Sequence, residues 1–312
     1  MEKPTILVTG STGKTGSYVV NQLIEEGFPV RAFVHRVDER SQRLFALGAE
    51  VVEGDFLNLQ SVRAAMQDVK RVYFVYPPQG ERLLEATANV AVAARDAGVE
   101  ALVNMSQIAA REKASSPLAR QHWLSEQILD WANIGASHIR PTFFAEDLYL
   151  FSGRSIAGEG KLVLPFGDGK HAPIAAEDIA RVVVGILVEP DAHVGQRYVL
   201  TGPKDMTMPK VAEVLAKELD KSVEYVNPPI AQWRRVLLEK VGFPEFLVTH
   251  LAAVAQDHQD GVFSAETDVV EKIGGSPPQS LEKFVRAHIA EFSAGPKLEE
   301  QSKRERRGGV QS

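Results

Sequence analysis

Ile6-Leu7-Val8-Thr9-Gly10-Ser11-Thr12-Gly13-Lys14-Thr15-Gly16, running on into Ser17-Tyr18-Val19-Val20-Asn21-Gln22-Leu23-Ile24, decides the fold. An apolar run, glycines at three-residue spacing and an amphipathic segment predict a strand, a tight turn and a helix start. Such a turn brings backbone close to a pyrophosphate, and its unpaired amides and the helix dipole meet the negative charge. The stretch therefore predicts a dinucleotide cradle made of Gly10, Thr12, Gly13, Lys14, Thr15 and Gly16. The spacing departs from G-x-G-x-x-G, so its weight comes from its place between a strand and a helix. A Walker loop fails here, because only Ser11 and Thr12 separate Gly10 from Gly13-Lys14-Thr15 and that motif needs a longer spacer.

Outward from the loop, apolar runs that read as buried parallel strands recur at Thr5–Thr9, Val30–His35, Glu50–Glu53, Arg71–Tyr76, Ala101–Met105 and Ser137–Arg140. Segments of helical spacing lie between them, so the prediction is an α/β Rossmann-type doubly wound parallel sheet. Ligands in such sheets sit at the carboxyl ends of the strands, near the reversal of strand order. Residues 1–150 are expected to form this NAD(P)-binding domain, to which later segments can return. Residues 151–292 read as a smaller α+β substrate lobe, with strand-like Arg197–Leu200 in it, and residues 293–312 as a solvated, disordered tail.

With 312 residues and 44% hydrophobic content, the chain can bury a full core. The net charge of -6 offers no general attraction to nucleic acid or anionic lipid, and no apolar run is long enough for a bilayer. The absence of cysteine excludes disulfides, thiolate nucleophiles and thiolate metal sites. No histidine spacing suggests a metal site. A cytoplasmic protein acting on a small molecule is expected, with a homodimer compatible and no nucleic-acid or membrane partner.

The residue that chooses between cofactors usually lies roughly twenty positions past the glycine motif, as an acid for NAD or an arginine for a 2′-phosphate. Here that position reads His35-Arg36. Arg36 suits charge-assisted bonds to a phosphate, with the His35 ring bordering adenine, which predicts NADP(H) over NAD(H); a plain solvated cation after a strand is the alternative. Asp55 could accept from the adenine amino group with Phe56 beside the ring, or cap the helix that starts near Leu59–Ser61. Tyr76-Pro77 would form a stiff floor under the nicotinamide-side ribose. Ser106 ends the fifth strand at the cleft mouth, and His122 follows on a helix; each is a candidate catalytic group, although a lone serine there is commonly a cap and a lone histidine commonly structural.

These residues, together with Val30-Arg31-Ala32-Phe33-Val34, Gly54-Asp55 and Ile139-Arg140-Pro141-Thr142-Phe143-Phe144, resemble the NmrA-like atypical short-chain dehydrogenase/reductases, in particular the quinone and triphenylmethane reductase branch. The resemblance runs from about Thr5 to Phe292. It implies NADP(H) with its nicotinamide near Ser106, His122 and the Phe143-Phe144 segment, and a flat substrate held by aromatics such as Phe143, Phe144 and Tyr149. Typical members of the wider superfamily carry Tyr-x-x-x-Lys on the helix after the fifth strand; aligning that helix by Glu126 puts Leu118 and His122 in those places. A missing proton donor favours acceptors that take hydride unaided, such as quinones or related conjugated compounds. It also fits a non-catalytic NADP(H)-binding sensor that regulates a protein partner, the alternative function.

Overall fold

The computed structural model describes residues 3–78 and 80–294. The first half alternates without interruption: β1 (Thr5–Val8), α1 (Lys14–Glu25), β2 (Val30–Val34), α2 (Glu39–Ala46), β3 (Glu50–Glu53), α3 (Leu59–Ala65), β4 (Val69–Phe74), α4 (Leu83–Ala97), β5 (Ala101–Met105), α5 (Pro117–Ala132), β6 (Ala136–Pro141) and α6 (Ala145–Glu159). The second half holds β7 (Lys161–Val163), β8 (Lys170–His171), α7 (Ala176–Val188), β9 (Arg197–Leu200), β10 (Met206–Thr207), α8 (Met208–Glu218) and β11 (Glu224–Val226). It ends with α9 (Ile230–Val236), a π-turn at Leu237–Val241, α10 (Glu245–Gln259), α11 (Val269–Gly274), α12 (Leu281–Ala287) and α13 (Ile289–Ala294). The tail expected from residue 293 onward lies, beyond Ala294, outside the described residues.

Seven strands form one parallel sheet in the order β3-β2-β1-β4-β5-β6-β9. Successive residues of a strand face opposite sides, and the core divides accordingly. Ile6, Val8, Tyr73, Val103 and Ile139 pack with Val19, Leu23, Ile179 and Val183, under α1 and α7. Leu7, Phe33, Val72, Phe74 and Leu102 pack with Val62, Val90, Leu118 and Leu129, under α3, α4 and α5. The strand expected to reach Tyr76 stops at Phe74, because the Val75 amide donates to Thr9 Oγ1 (2.9 Å) rather than continuing the ladder.

Arg197–Leu200 differs from the expected placement. As β9 it extends the main sheet beyond β6, with His138 opposite Arg197 and Pro141 opposite Leu200. The open edge of β6 supplies its hydrogen-bond partners, and α7 returns with it to pack along α1. The remaining later elements make a second core around Leu162, Phe166, Met208, Leu215, Trp233, Val248 and Phe284, with two small sheets, β10-β8 antiparallel and β11-β7 parallel. Among the described residues no helix is long and apolar enough to cross a membrane.

Local sequence fixes the helix ends that border the cleft. Asp38 and Ser41 form a capping box on α2, Asn58 caps α3, and Ser116 followed by Pro117 starts α5.

Candidate functional site

The order of strands reverses between β1 and β4, and the turn after β1 occupies that crevice. Gly10 has φ +54°, and a Cβ there would stand 2.6 Å from Val75 Cγ1. The Gly13 amide donates to the Gly10 carbonyl (2.8 Å), and the first bond of α1 runs from Ser17 N–H to the Gly13 carbonyl (3.2 Å). The amides of Lys14, Thr15 and Gly16 therefore have no carbonyl one turn earlier. No side chain caps this helix end and no acid lies in its first turn, so the dipole's positive end is left for an external anion. Thr9 and Ser11 clamp the turn from below, Thr9 Oγ1 donating to the Val75 carbonyl (3.3 Å) and Ser11 Oγ to the Phe33 carbonyl (3.2 Å). Thr15 Oγ1 meets the buried Tyr73 hydroxyl at 2.8 Å, and burial raises the Tyr73 pKa. The Thr12 hydroxyl has no partner among the described residues. Lys14 Nζ lies 2.7 Å from Asp147 Oδ1 and 5.9 Å from the centre of the Phe144 ring.

Toward β2 and β3, a depression of about 330 Å³ is lined by His35, Glu53, Gly54, Asp55, Asn58 and Ser61. Asp55 does not cap α3; Asn58 does. One Asp55 oxygen accepts from Leu57 N–H (2.9 Å), and its main chain is held by Ser61 Oγ. Arg36 is exposed and makes no ion pair among the described residues. Phe56 lies within an aromatic cluster, its ring centre 5.1 Å from Phe33, 5.6 Å from Phe74 and 5.8 Å from Tyr76. Tyr76 is half-buried and Pro77 exposed at the end of β4. A larger open depression of about 720 Å³ between α3 and α4 holds the Arg63–Asp96 ion pair and lies apart from the glycine turn.

Toward β5 and β6, Ser106 Oγ donates to Glu126 Oε1 at 2.5 Å. Glu126 is 0% exposed and takes further bonds from Arg140 Nε (2.9 Å), Arg140 Nη2 (2.5 Å) and Arg197 Nε (3.1 Å). Burial alone would raise the Glu126 pKa, but the bonds from Arg140 and Ser106 outweigh it and hold the carboxyl below its usual range. The network continues through Arg197 to Asp130 and through Asp130 Oδ1 to His138 Nε2 (2.9 Å), whose Nδ1 meets Asn104 Nδ2 at 3.1 Å. Sequence reasoning missed this cluster, whose one sequence signal is Glu126 a helical turn after His122.

His122 also sits on α5, 9% exposed, its Nδ1 without a partner among the described residues. Burial lowers its pKa to about 4, against a weaker upward pull from Glu126, so the ring is neutral at pH 7. α5 contains neither tyrosine nor lysine.

The three aromatics expected to hold a flat substrate point to different places. Phe143 is buried in a cluster with Phe166, His171 and His258, at centroid distances of 5.3, 5.2 and 5.6 Å. Phe144 is half-buried beside Lys14 and packs against the sheet core. Tyr149 lies one turn into α6 against Phe284, His288 and Phe292 of the C-terminal helices.

The groups present fit a dinucleotide: open amides at an uncapped helix start, an arginine past β2 with no ion pair among the described residues, and an acceptor carboxylate past β3. Among the described residues no group of three or more histidine, aspartate and glutamate side chains could hold a metal ion.

Comparison with known proteins points to one family. The NmrA-like family model matches residues 2–292. An NAD(P)H azoreductase of Xenophilus azovorans is 32% identical over 295 residues, covering 93% of this chain and 99% of that protein. The structure of an NADPH-dependent quinone oxidoreductase of Escherichia coli complexed with NADPH superposes with a TM-score of 0.82 at 27% identity, covering 91% of this chain and 99% of that one. The Citrobacter sp. triphenylmethane reductase complexed with NADP(H) gives 0.80 at 26% identity, covering 90% and 99%. With the family model spanning nearly all of the described residues, the chain belongs to the NmrA-like family.

Proposed function

We propose that this protein is an NAD(P)H-dependent oxidoreductase, preferring NADPH, that passes hydride to an activated acceptor such as a quinone or a related conjugated compound. The observation that carries the reading is the pairing of an open, uncapped glycine turn at the strand reversal with a cleft helix that offers no proton donor at neutral pH. The resemblance to reductases of azo compounds, quinones and triphenylmethane dyes supports the acceptor class.

In this reading the amides of Lys14, Thr15 and Gly16 and the Thr12 hydroxyl bind the diphosphate, Arg36 binds the 2′-phosphate, and Asp55 accepts from the adenine amino group with its second oxygen. When bound, the nicotinamide would supply the hydride, with Ser106 placed at the end of β5 to orient it. Ser106 has its proton committed to Glu126, so it orients groups as an acceptor and donates to none. His122, neutral and buried, holds almost no proton to give at pH 7. Acceleration would then come from holding a flat acceptor against the nicotinamide, and solvent would supply the proton to the reduced product.

Steady-state oxidation of NADPH with a panel of quinones, azo compounds and triarylmethane dyes tests this. Turnover with at least one class is expected, and His122→Ala retains it to within about threefold, far less than the loss that removal of a general acid brings. Absence of turnover across the panel, together with NADP(H)-dependent capture of a protein partner, would replace the enzyme by the regulatory alternative.

A further inference from the structure

We propose that Glu53 sets the discrimination between cofactors with and without a 2′-phosphate, by keeping a resident negative charge on the loop that receives that phosphate. The inference rests on the NAD(P)H reading above and goes beyond the role given there to Arg36.

β2 and β3 run side by side and end together, with Val34 opposite Glu53. The chain after β2 turns through His35, Arg36 and Val37, and the Val37 amide donates to Glu53 Oε2 at 3.0 Å. A free loop amide behind a basic side chain is an ordinary receptor for a phosphate oxygen. Here a carboxylate oxygen already occupies it. Glu53 also lines the 330 Å³ depression with His35, Gly54, Asp55, Asn58 and Ser61, and it makes no ion pair among the described residues. The other acid of this loop, Asp38, is engaged by Arg40 and caps α2, so it neither neutralises Arg36 nor enters the depression.

The two charges act oppositely on the two cofactors. Arg36 attracts a 2′-phosphate, whereas Glu53 repels it. A ribose 2′-hydroxyl reverses the second effect, because a hydroxyl donates to a carboxylate. Glu53 therefore performs, from the end of β3, the service that an acid at the end of β2 performs in NAD-specific sheets. The glycine turn grips either cofactor, and the ratio between them is set by Arg36 against Glu53.

A carboxylate about 5 Å from a dianion at physiological ionic strength weakens its binding by about fivefold. Titration calorimetry of the full chain with NADP⁺ and with NAD⁺ reads this without turnover. Glu53→Gln keeps an oxygen acceptor for the Val37 amide while removing the charge. It should tighten NADP⁺ by about fivefold, leave NAD⁺ unchanged or weaker, and lose most of its effect at molar salt. Arg36→Ala, in the same titration, should weaken NADP⁺ alone. The proposal is overturned if Glu53→Gln leaves NADP⁺ affinity unchanged, or if both cofactors weaken together, which would reduce Glu53 to a loop support. If the native protein bound neither dinucleotide, the NAD(P)H reading itself would fail.

Discussion

Gly16→Ala probes the grip on the diphosphate with one added methyl group. A Cβ on Gly16 would lie 2.2 Å from the Gly10 carbonyl oxygen, 2.7 Å from its carbon and 2.9 Å from Ser11 Cα. All three are backbone atoms, so no side chain can swing aside. Restoring an ordinary contact requires the turn and the helix start to separate by about 1 Å. The turn resists, being held by the Gly13–Gly10 bond at 2.8 Å and the Val75–Thr9 bond at 2.9 Å. On the fold, overpacking costs about 1–3 kcal/mol and helix propensity returns about 1 kcal/mol, so net stability falls by no more than about 2 kcal/mol. On the ligand, displacement of the binding amides by about 1 Å breaks one or two charge-assisted bonds of about 1.5–3 kcal/mol each, which lowers affinity by about 100-fold. Calorimetry with NADPH alongside thermal unfolding separates the two effects. Gly158→Ala, at a position with nothing within 4 Å, controls for the added methyl and should leave binding unchanged. NADPH affinity within twofold of the native protein in Gly16→Ala would refute the assignment of this turn as the diphosphate grip.

Two further substitutions test the buried polar groups around the cleft. Arg140→Ala leaves the fully buried Glu126 with Arg197 and Ser106 alone; urea unfolding at pH 7.5 should show a loss of about 3 kcal/mol, and a loss under 1 kcal/mol would contradict an ionised Glu126. His171→Phe removes a ring whose nitrogens are both buried with no partner among the described residues and whose pKa burial lowers to about 3. Since the folded value lies below the unfolded one, the neutral ring's stabilisation is complete above about pH 6.5 and is lost as pH falls toward the folded pKa, amounting to about 2 kcal/mol at pH 5. Between pH 7.5 and 5 the native protein should therefore lose about 2 kcal/mol more than His171→Phe in urea unfolding; equal losses would show that His171 titrates normally.

The sheet and the glycine turn were legible because their signals are local. Ile6, Leu7 and Val8 are apolar on both faces, as only a strand covered on both sides requires, and Gly10 and Gly16 are dictated by contacts within one short turn. β9 was misplaced for the opposite reason: four residues carry no record of which open edge they will join, and Arg197 reveals its place only through Glu126 and Asp130, some 70 positions earlier. Phe143 and Phe144 read together as aromatics that hold a flat substrate, yet neighbouring residues leaving a strand turn to opposite sides, one into the second core and one toward Lys14. Asp55 and Glu53 show the same limit, since the chain places both at the end of β3 and only the folded loop shows which carboxylate meets Val37.

The Glu126 cluster bears most directly on chemistry. A serine at the mouth of β5 and a histidine on the next helix each read in sequence as a candidate catalytic group. In the folded chain Ser106 gives its single proton to a carboxylate saturated by Arg140 and Arg197, and His122 is held neutral by burial. Donating from Ser106 would leave Glu126 short of a buried bond, at a cost of about 1–3 kcal/mol. A substrate that needs a proton as hydride arrives must therefore carry that cost, whereas an acceptor that delocalises the incoming charge over a conjugated framework does not. Under the proposed reading, the same network that ties β5, β6, β9 and α5 together also selects the acceptor, by withholding the proton that an ordinary carbonyl would require.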